Sequence, residues 1–190
     1  MTGKVGPLQD KPSDDPLRSL RVDVRTASWF AGLGEPLTEG DRVDAVTYAQ
    51  ALGLGAVSIE LAHDWPEAER LLKSPQWSQA WWDREEELRR ELLNAAEARH
   101  TERALWTALT ELTSEAGDLV HGKAATAASR MGNAAAASIH VAAGAASQAV
   151  YQLAVARLAG DSASPFESKF RLFAAGRWPL GVAGTRLFLF

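Results

Sequence analysis

Two Glu-x-x-His motifs hold the residues of this chain whose types and spacing could do chemistry. They run from Glu60 to His63 and from Glu97 to His100. On an α-helix this spacing places a carboxylate and an imidazole on one face, where both can bind the same metal ion. Two copies supply two carboxylates and two imidazoles.

This ligand set resembles the metal centre of ferritin-like helical bundles, and the resemblance implies a pair of iron or manganese ions. The resemblance implies a further glutamate on each of two other helices, one of them between the two motifs. Only a short predicted helix, Trp65 to Lys73, intervenes here, and Glu67 and Glu69 are its candidate ligands. Such short motifs also recur by chance in a helical chain with 24 acids and 4 histidines. The sequence therefore favours surface ion pairing for Glu60, His63, Glu97 and His100, with the metal site as the alternative.

The other two histidines, His121 and His140, flank and enter an apolar region. Each could act as a metal ligand or as a proton carrier. Beside Gly122, however, a histidine is typical of a helix C-terminus, and among alanines it is typical of a hydrogen-bonded core residue. The sequence therefore favours a role in packing for both.

The last stretch of the chain, 164–190, differs in character from the rest. It holds five of the six phenylalanines, a tryptophan and four basic residues against one acid. Aromatic and arginine side chains are enriched at the energetic centres of protein interfaces. The candidate interaction residues are Phe166, Phe170, Phe173, Arg177, Trp178, Arg186, Phe188 and Phe190.

This basic, aromatic segment has two alternative roles. It could pack against the body of the protein, or it could bind a protein partner. We expect internal packing with a contribution to a homo-oligomer interface, because an exposed arm this apolar would promote aggregation.

Composition excludes several classes of function. The net charge of −4 and the pI near 5.6 give no overall drive toward nucleic acid. The absence of cysteine excludes disulfides, thiolate zinc sites and cysteine nucleophiles. No phosphate-binding glycine loop, serine nucleophile elbow or His-Glu-x-x-His motif occurs, so no cofactor is expected. The polar start of the chain lacks the apolar core of a secretory signal, and we expect a cytoplasmic protein.

Helix start signals recur along the chain. A helix is predicted from Thr38 to Leu61, and Asp64-Trp-Pro-Glu67 starts the short helix that follows. Ser74-Pro75 starts a longer one, and glycines at 117 and 122 predict a break. Ser164-Pro165-Phe166-Glu167 is the cleanest start. A turn is predicted at 177–181 and a short strand or extended arm at 186–190.

The chain carries no charged residue from Met131 to Ala156. A stretch of this length could cross a bilayer. Its polar residues and the weak apolarity of alanine argue against a membrane, and a buried central helix is favoured.

These patterns together predict an all-α, single-domain helical bundle of about six helices with a short extended C-terminal arm. The predicted boundaries are a disordered lead-in at 1–20 and one helical domain at 21–190. A chain with 46% apolar residues can bury one substantial core.

Three functions remain open. The first is a non-enzymatic interaction or structural module that binds a protein partner or a second copy of itself through the C-terminal segment. The second is the metal-carboxylate protein using Glu60, His63, Glu97 and His100. The third is a binder of a small molecule or lipid, with its cavity between the alanine-rich helix and the aromatic C-terminal helix.

Overall fold

The computed structural model describes residues 15–190, and within that range the chain forms seven α-helices and three strands. The helices are α1 (Arg18–Thr26), α2 (Glu39–Ala51), α3 (Trp65–Leu72), α4 (Gln79–Glu97), α5 (Glu102–Met131), α6 (Ala136–Ala159) and α7 (Pro165–Ala174). The strands are β1 (Ser58–Leu61), β2 (Pro179–Ala183) and β3 (Arg186–Leu189). The prediction of a mostly helical single body with an extended C-terminal arm is confirmed, and the small sheet is an addition to it.

Helix α1 begins inside the segment that the sequence assigns to a disordered lead-in, residues 1–20. Leu17 and Leu20 are fully buried, and the carboxylate of Asp15 accepts a hydrogen bond from the backbone N–H of Leu17 at 2.9 Å. Residues 15–20 therefore belong to the body, and the predicted domain start at residue 21 is too late. Residues 1–14 lie outside the described part of the chain.

Helix α2 starts as predicted but is shorter than predicted. The hydroxyl of Thr38 accepts from the backbone N–H of Asp41, whose carboxylate accepts from the backbone N–H of Thr38. Gly53 and Gly55 both adopt positive φ just after the helix ends. The helical prediction for Ser58–Leu61 is wrong, because these residues form β1.

Helix α3 is confirmed from its first residue, since the carboxylate of Asp64 accepts from the backbone N–H of Glu67 at 2.7 Å. Helix α4 begins later than the predicted start at Ser74-Pro75. Before it, Trp77 lies opposite Ala183 in a short bridge, and the backbone N–H of Ser78 donates to the carbonyl of Val182 at 2.8 Å. This extended stretch covers the outer edge of β2, so it cannot be helical.

The break predicted at the two glycines of α5 does not occur. The helix continues through Gly117 and Gly122 and ends at Gly132, where φ is +73°. A side chain at position 117 would contact the hydroxyl of Ser147 on α6, which shows how closely the two helices approach. Tertiary packing outweighs the low helix propensity of glycine here.

Helix α6 is the buried helix predicted for the alanine-rich stretch, although it starts at Ala136 rather than Met131. Its side chains pack against α4, α5 and α7. Glu69 of α3 closes its N-terminus by accepting hydrogen bonds from the backbone N–H of Ala135 and the hydroxyl of Ser138. Among residues 15–190, no helix has both the length and the apolar character that a membrane crossing requires.

Helix α7 begins at the predicted cap, where the hydroxyl of Ser164 accepts from the backbone N–H of Phe166. The turn predicted at 177–181 is wrong beyond Trp178, because Pro179–Ala183 forms β2. The predicted terminal strand is confirmed as β3, which lies between the other two strands. It pairs in parallel with β1 and antiparallel with β2.

The core consists of two apolar clusters. The larger one joins α1, α5, α6 and the aromatic side of α7. The smaller one joins α2, the start of α4 and the sheet, with Leu172 of α7. Helix α7 contributes to both clusters, and this places the C-terminal segment at the centre of the molecule.

Candidate functional site

The two Glu-x-x-His motifs do not come together as the metal centre of the alternative, ferritin-like interpretation. Glu60 lies exposed on β1, opposite Phe188 of β3, and His63 follows the strand in an exposed loop. This pair therefore lacks the helical spacing on which the ferritin-like interpretation depends. Among residues 15–190 no group of three or more acidic or histidine side chains is arranged to hold a metal ion.

The second motif, from Glu97 to His100, contributes to a structural contact between helices. Glu97 is exposed at the last turn of α4, and His100 lies in the short connection to α5. The Nε2 atom of His100 lies 3.0 Å from the backbone carbonyl oxygen of Leu158 on α6. This contact joins the connection to the end of α6.

The phenylalanine stripe of α7 is internal. Phe166, Phe170 and Phe173 are each at most 3% exposed. The ring of Trp29 packs edge-on against Phe170, with centroids 5.7 Å apart, and Phe30 packs edge-on against Phe173 at 6.0 Å. The stripe thus holds the turn after α1 against α7, and its side chains are not available to a partner.

The aromatic residues after α7 are also buried. Trp178, Phe188 and Phe190 are at most 5% exposed, and Trp65 packs edge-on against Phe190 with centroids 5.2 Å apart. Arg186 is the exposed member of the candidate interaction set, and its guanidinium lies 5.2 Å from the centroid of the Phe188 ring.

Arg177 is buried and forms a clamp between distant parts of the chain. Its Nε donates to the carboxylate of Asp41 at 3.0 Å. Its two terminal nitrogens donate to the backbone carbonyls of Gly32, Glu35 and Pro36. Arginine suits this position because its planar group donates in several directions at once. The clamp fixes the loop before α2 to the end of α7.

A second buried set, which we call the polar cluster, lies where α2, α4, α6 and α7 meet. The Nζ of Lys169 donates to both carboxylate oxygens of Glu85, at 2.6 and 3.0 Å, and to the side-chain oxygen of Gln152 at 3.1 Å. The hydroxyl of Tyr48 donates to Glu85 at 2.5 Å and accepts from the indole N–H of Trp81 at 2.7 Å. All five side chains are buried.

The electrostatics of the polar cluster follow from its burial. Desolvation raises the pKa of Tyr48 well above its ordinary value, and the adjacent carboxylate of Glu85 raises it further. The tyrosine is therefore held in its neutral form as a hydrogen-bond donor. The ammonium of Lys169 neutralises the carboxylate of Glu85, which would otherwise be a strongly unfavourable buried charge.

With one exception, every buried polar side-chain atom of the polar cluster has a hydrogen-bond partner among the described residues. The side-chain Nε2 of Gln152 is buried without a hydrogen-bond partner among the described residues. Chemically, the cluster neutralises charge and fixes the relative positions of four helices. Its reactive groups do not face solvent, so it acts as a structural centre.

The small-molecule interpretation receives little support from the space between α6 and α7. Leu153 of α6 and Phe166 and Phe170 of α7 are all buried in the larger apolar cluster. A cleft of about 520 Å³ lies at the loop that joins the two helices, and it is open and lined by charged residues. Its central Arg157 is already paired with Glu167 at 3.3 Å.

Sequence reasoning missed the polar cluster, although one signal was present. Lys169 lies one turn after Phe166, between Phe173 and Leu172 around the helix, so a basic residue occupies a position flanked by residues that the apolar pattern predicts to be buried. Glu85 gave no such signal, because it lies in a run of alternating charges typical of a solvated helix.

Comparison of the chain with models of protein families, with curated proteins and with solved structures finds no match.

Proposed function

We propose that this chain is a non-enzymatic interaction module that self-associates through a tryptophan patch at the start of α4. The patch consists of the exposed Trp82 and the partly buried Trp77, which both contact the buried Trp81. Trp82 is the observation that carries the proposal, since its side chain is 42% exposed. Tryptophan is among the residues most enriched at the energetic centres of protein interfaces.

The tryptophan patch packs on buried side chains. Trp82 and Trp77 both pack edge-on against Trp81, with ring centroids 6.4 and 5.5 Å from it. Trp81 is in turn fixed by its hydrogen bond to Tyr48 of the polar cluster. A side chain that is already ordered loses less conformational freedom on binding, which favours association.

A second copy of the chain is the partner that the surrounding charges favour. The face of α4 beside Trp82 carries both signs, because Glu86 and Arg89 follow Trp82 by one and two turns and form an ion pair at 2.7 Å. In a two-fold symmetric dimer, the same surface of each copy meets its counterpart. A surface of mixed sign can do so without the repulsion that a surface of one sign would create.

This proposal moves the contact surface away from the C-terminal segment, whose aromatic side chains are internal. The segment supports the patch indirectly, because Lys169 holds Glu85 and thereby Tyr48 beneath Trp81.

Size-exclusion chromatography with light scattering tests the proposal over a range of protein concentrations. Wild type should form a dimer, and its melting temperature should rise with protein concentration. Trp82→Ala should be monomeric and should still melt cooperatively, at a temperature that does not depend on concentration. Val141→Ala is the matched control, because Val141 on α6 is 49% exposed and should not affect the dimer. A wild-type monomer at every concentration, or a Trp82→Ala dimer, would contradict the proposal.

A further inference from the structure

The structure brings together two histidines that the sequence treats separately. His121 of α5 and His140 of α6 have ring centroids 5.0 Å apart, with an angle of 34° between the ring planes. Both residues are exposed. A lone histidine has many structural roles, whereas two imidazoles at this separation on neighbouring helices form a pair of nitrogen donors.

The packing of α5 against α6 fixes this separation. The two helices are joined by a short connection at 132–135 and pack along their length. Beneath the histidines, Ala124 and Ala143 are buried in the contact between the helices. Side chains this small let the helix backbones approach closely, so that residues on facing positions meet.

The pair lies at the surface of the two helices. Both imidazoles are exposed, so an ion and its water ligands can reach them from solvent.

The centroid separation matches that of two imidazoles bound to one metal ion. An ion about 2.0–2.1 Å from an imidazole nitrogen lies about 3.2 Å from the centre of that ring. Two such ligands place their ring centres about 4.5 Å apart at a right angle and about 5.2 Å apart at a tetrahedral angle, if each ring points at the ion. The observed 5.0 Å lies between these values.

We propose that His121 and His140 form a two-histidine site for a divalent first-row transition metal of the copper, nickel and zinc group. Imidazole nitrogen suits these ions, whereas calcium and magnesium prefer oxygen ligands. Water completes the coordination, because the described residues place no third acidic or histidine ligand beside the pair. The site is independent of the tryptophan patch proposed above.

Calorimetric titration of the full, untagged chain with Ni²⁺ tests the site. Wild type should bind one ion per chain. Loss of a second-shell partner alone typically weakens metal affinity by about 10–100-fold, so loss of a ligand should weaken it at least as much. His121→Ala and His140→Ala should each show this loss.

His63→Ala is the matched control, because His63 is also exposed but lies in the loop before α3. Its affinity for Ni²⁺ should equal that of wild type. A thermal melt of every variant without metal checks folding, and we expect unchanged midpoints because both histidines are exposed. Added Ni²⁺ should raise the midpoint of wild type and of His63→Ala only, since an ion that bridges α5 and α6 binds the folded state.

Three results would overturn the site. They are the absence of Ni²⁺ binding to wild type, binding that survives His121→Ala or His140→Ala with the same affinity, and binding that is lost in His63→Ala.

Discussion

The C-terminal segment and the hairpin of α5 and α6 differ in how well their composition indicates which side chains are buried. The segment at 164–190 is basic and aromatic, which is typical of a contact surface, yet nearly all of its large side chains are buried. The alanine-rich hairpin is typical of a core, yet its end near the connection leaves His121, His140 and Val141 exposed. Composition therefore indicates what a region can contact, and topology decides what it does contact.

Charge explains how the C-terminal segment can be internal. Two of its basic side chains, Lys169 and Arg177, are buried opposite Glu85 and Asp41. A buried charge is tolerated where it is paired and hydrogen-bonded. The hairpin needs no such pairing, because its contact surface is made of small apolar residues.

Removal of one partner from the polar cluster should have the largest effect. Glu85→Ala leaves the ammonium of Lys169 buried without a counter-charge, and we expect a loss of about 3–5 kcal/mol in the free energy of unfolding. Urea denaturation followed by circular dichroism measures this loss.

Two controls separate the buried charge from simple loss of a side chain. Glu87→Ala breaks an exposed pair with Arg84 on the same helix, and it should change the free energy of unfolding by less than about 0.5 kcal/mol. The double variant Glu85→Met with Lys169→Met should be more stable than Glu85→Ala, because it removes both charges. Equal losses of unfolding free energy in Glu85→Ala and Glu87→Ala would show that the buried pair of Glu85 and Lys169 contributes no more than an exposed ion pair.

Tyr48 gives a smaller effect that depends on pH. Because its pKa is raised in the folded state, its contribution to stability is fully present below its unfolded pKa of about 10. That contribution is lost as the pH rises toward the folded pKa. Wild type should therefore lose stability in alkaline solution.

Tyr48→Phe removes the ionisable hydroxyl and should remove this alkaline loss. At neutral pH the variant should be less stable by about 2 kcal/mol, since Glu85 and Trp81 each lose a hydrogen bond. Thermal melts of both proteins from neutral to alkaline pH provide the measurement. If the melting temperatures of the two proteins fell equally with rising pH, ionisation of Tyr48 would not be the cause of the alkaline loss, and the prediction would be wrong.

The sequence predicted those elements whose signals are local. The caps at Thr38, Asp64 and Ser164 marked three helix starts correctly, because a cap depends on residues next to one another in the chain. The same reasoning failed at Gly117 and Gly122, where packing against α6 maintains the helix. It also failed at β1, since a four-residue strand exists only through its pairing with β3.

The contacts of the candidate sites could not be read from the sequence for a similar reason. Lys169 meets Glu85, and His121 meets His140, only because helices distant in the chain pack together. Apolar periodicity assigns a residue to the buried or exposed face of a helix, but it does not say which other helix that face contacts.

Amide hydrogen exchange of the native protein tests the central claim, that the C-terminal segment is an integral part of the core, most directly. The backbone N–H of Trp178 donates to the carbonyl of Phe190 at 2.6 Å, and the N–H of Phe190 donates back at 2.9 Å. These two amides should exchange as slowly as those in the middle of α6, because both require opening of the same core. Exchange at the rate of an unprotected peptide would show that the segment is a detachable arm and would contradict the claim.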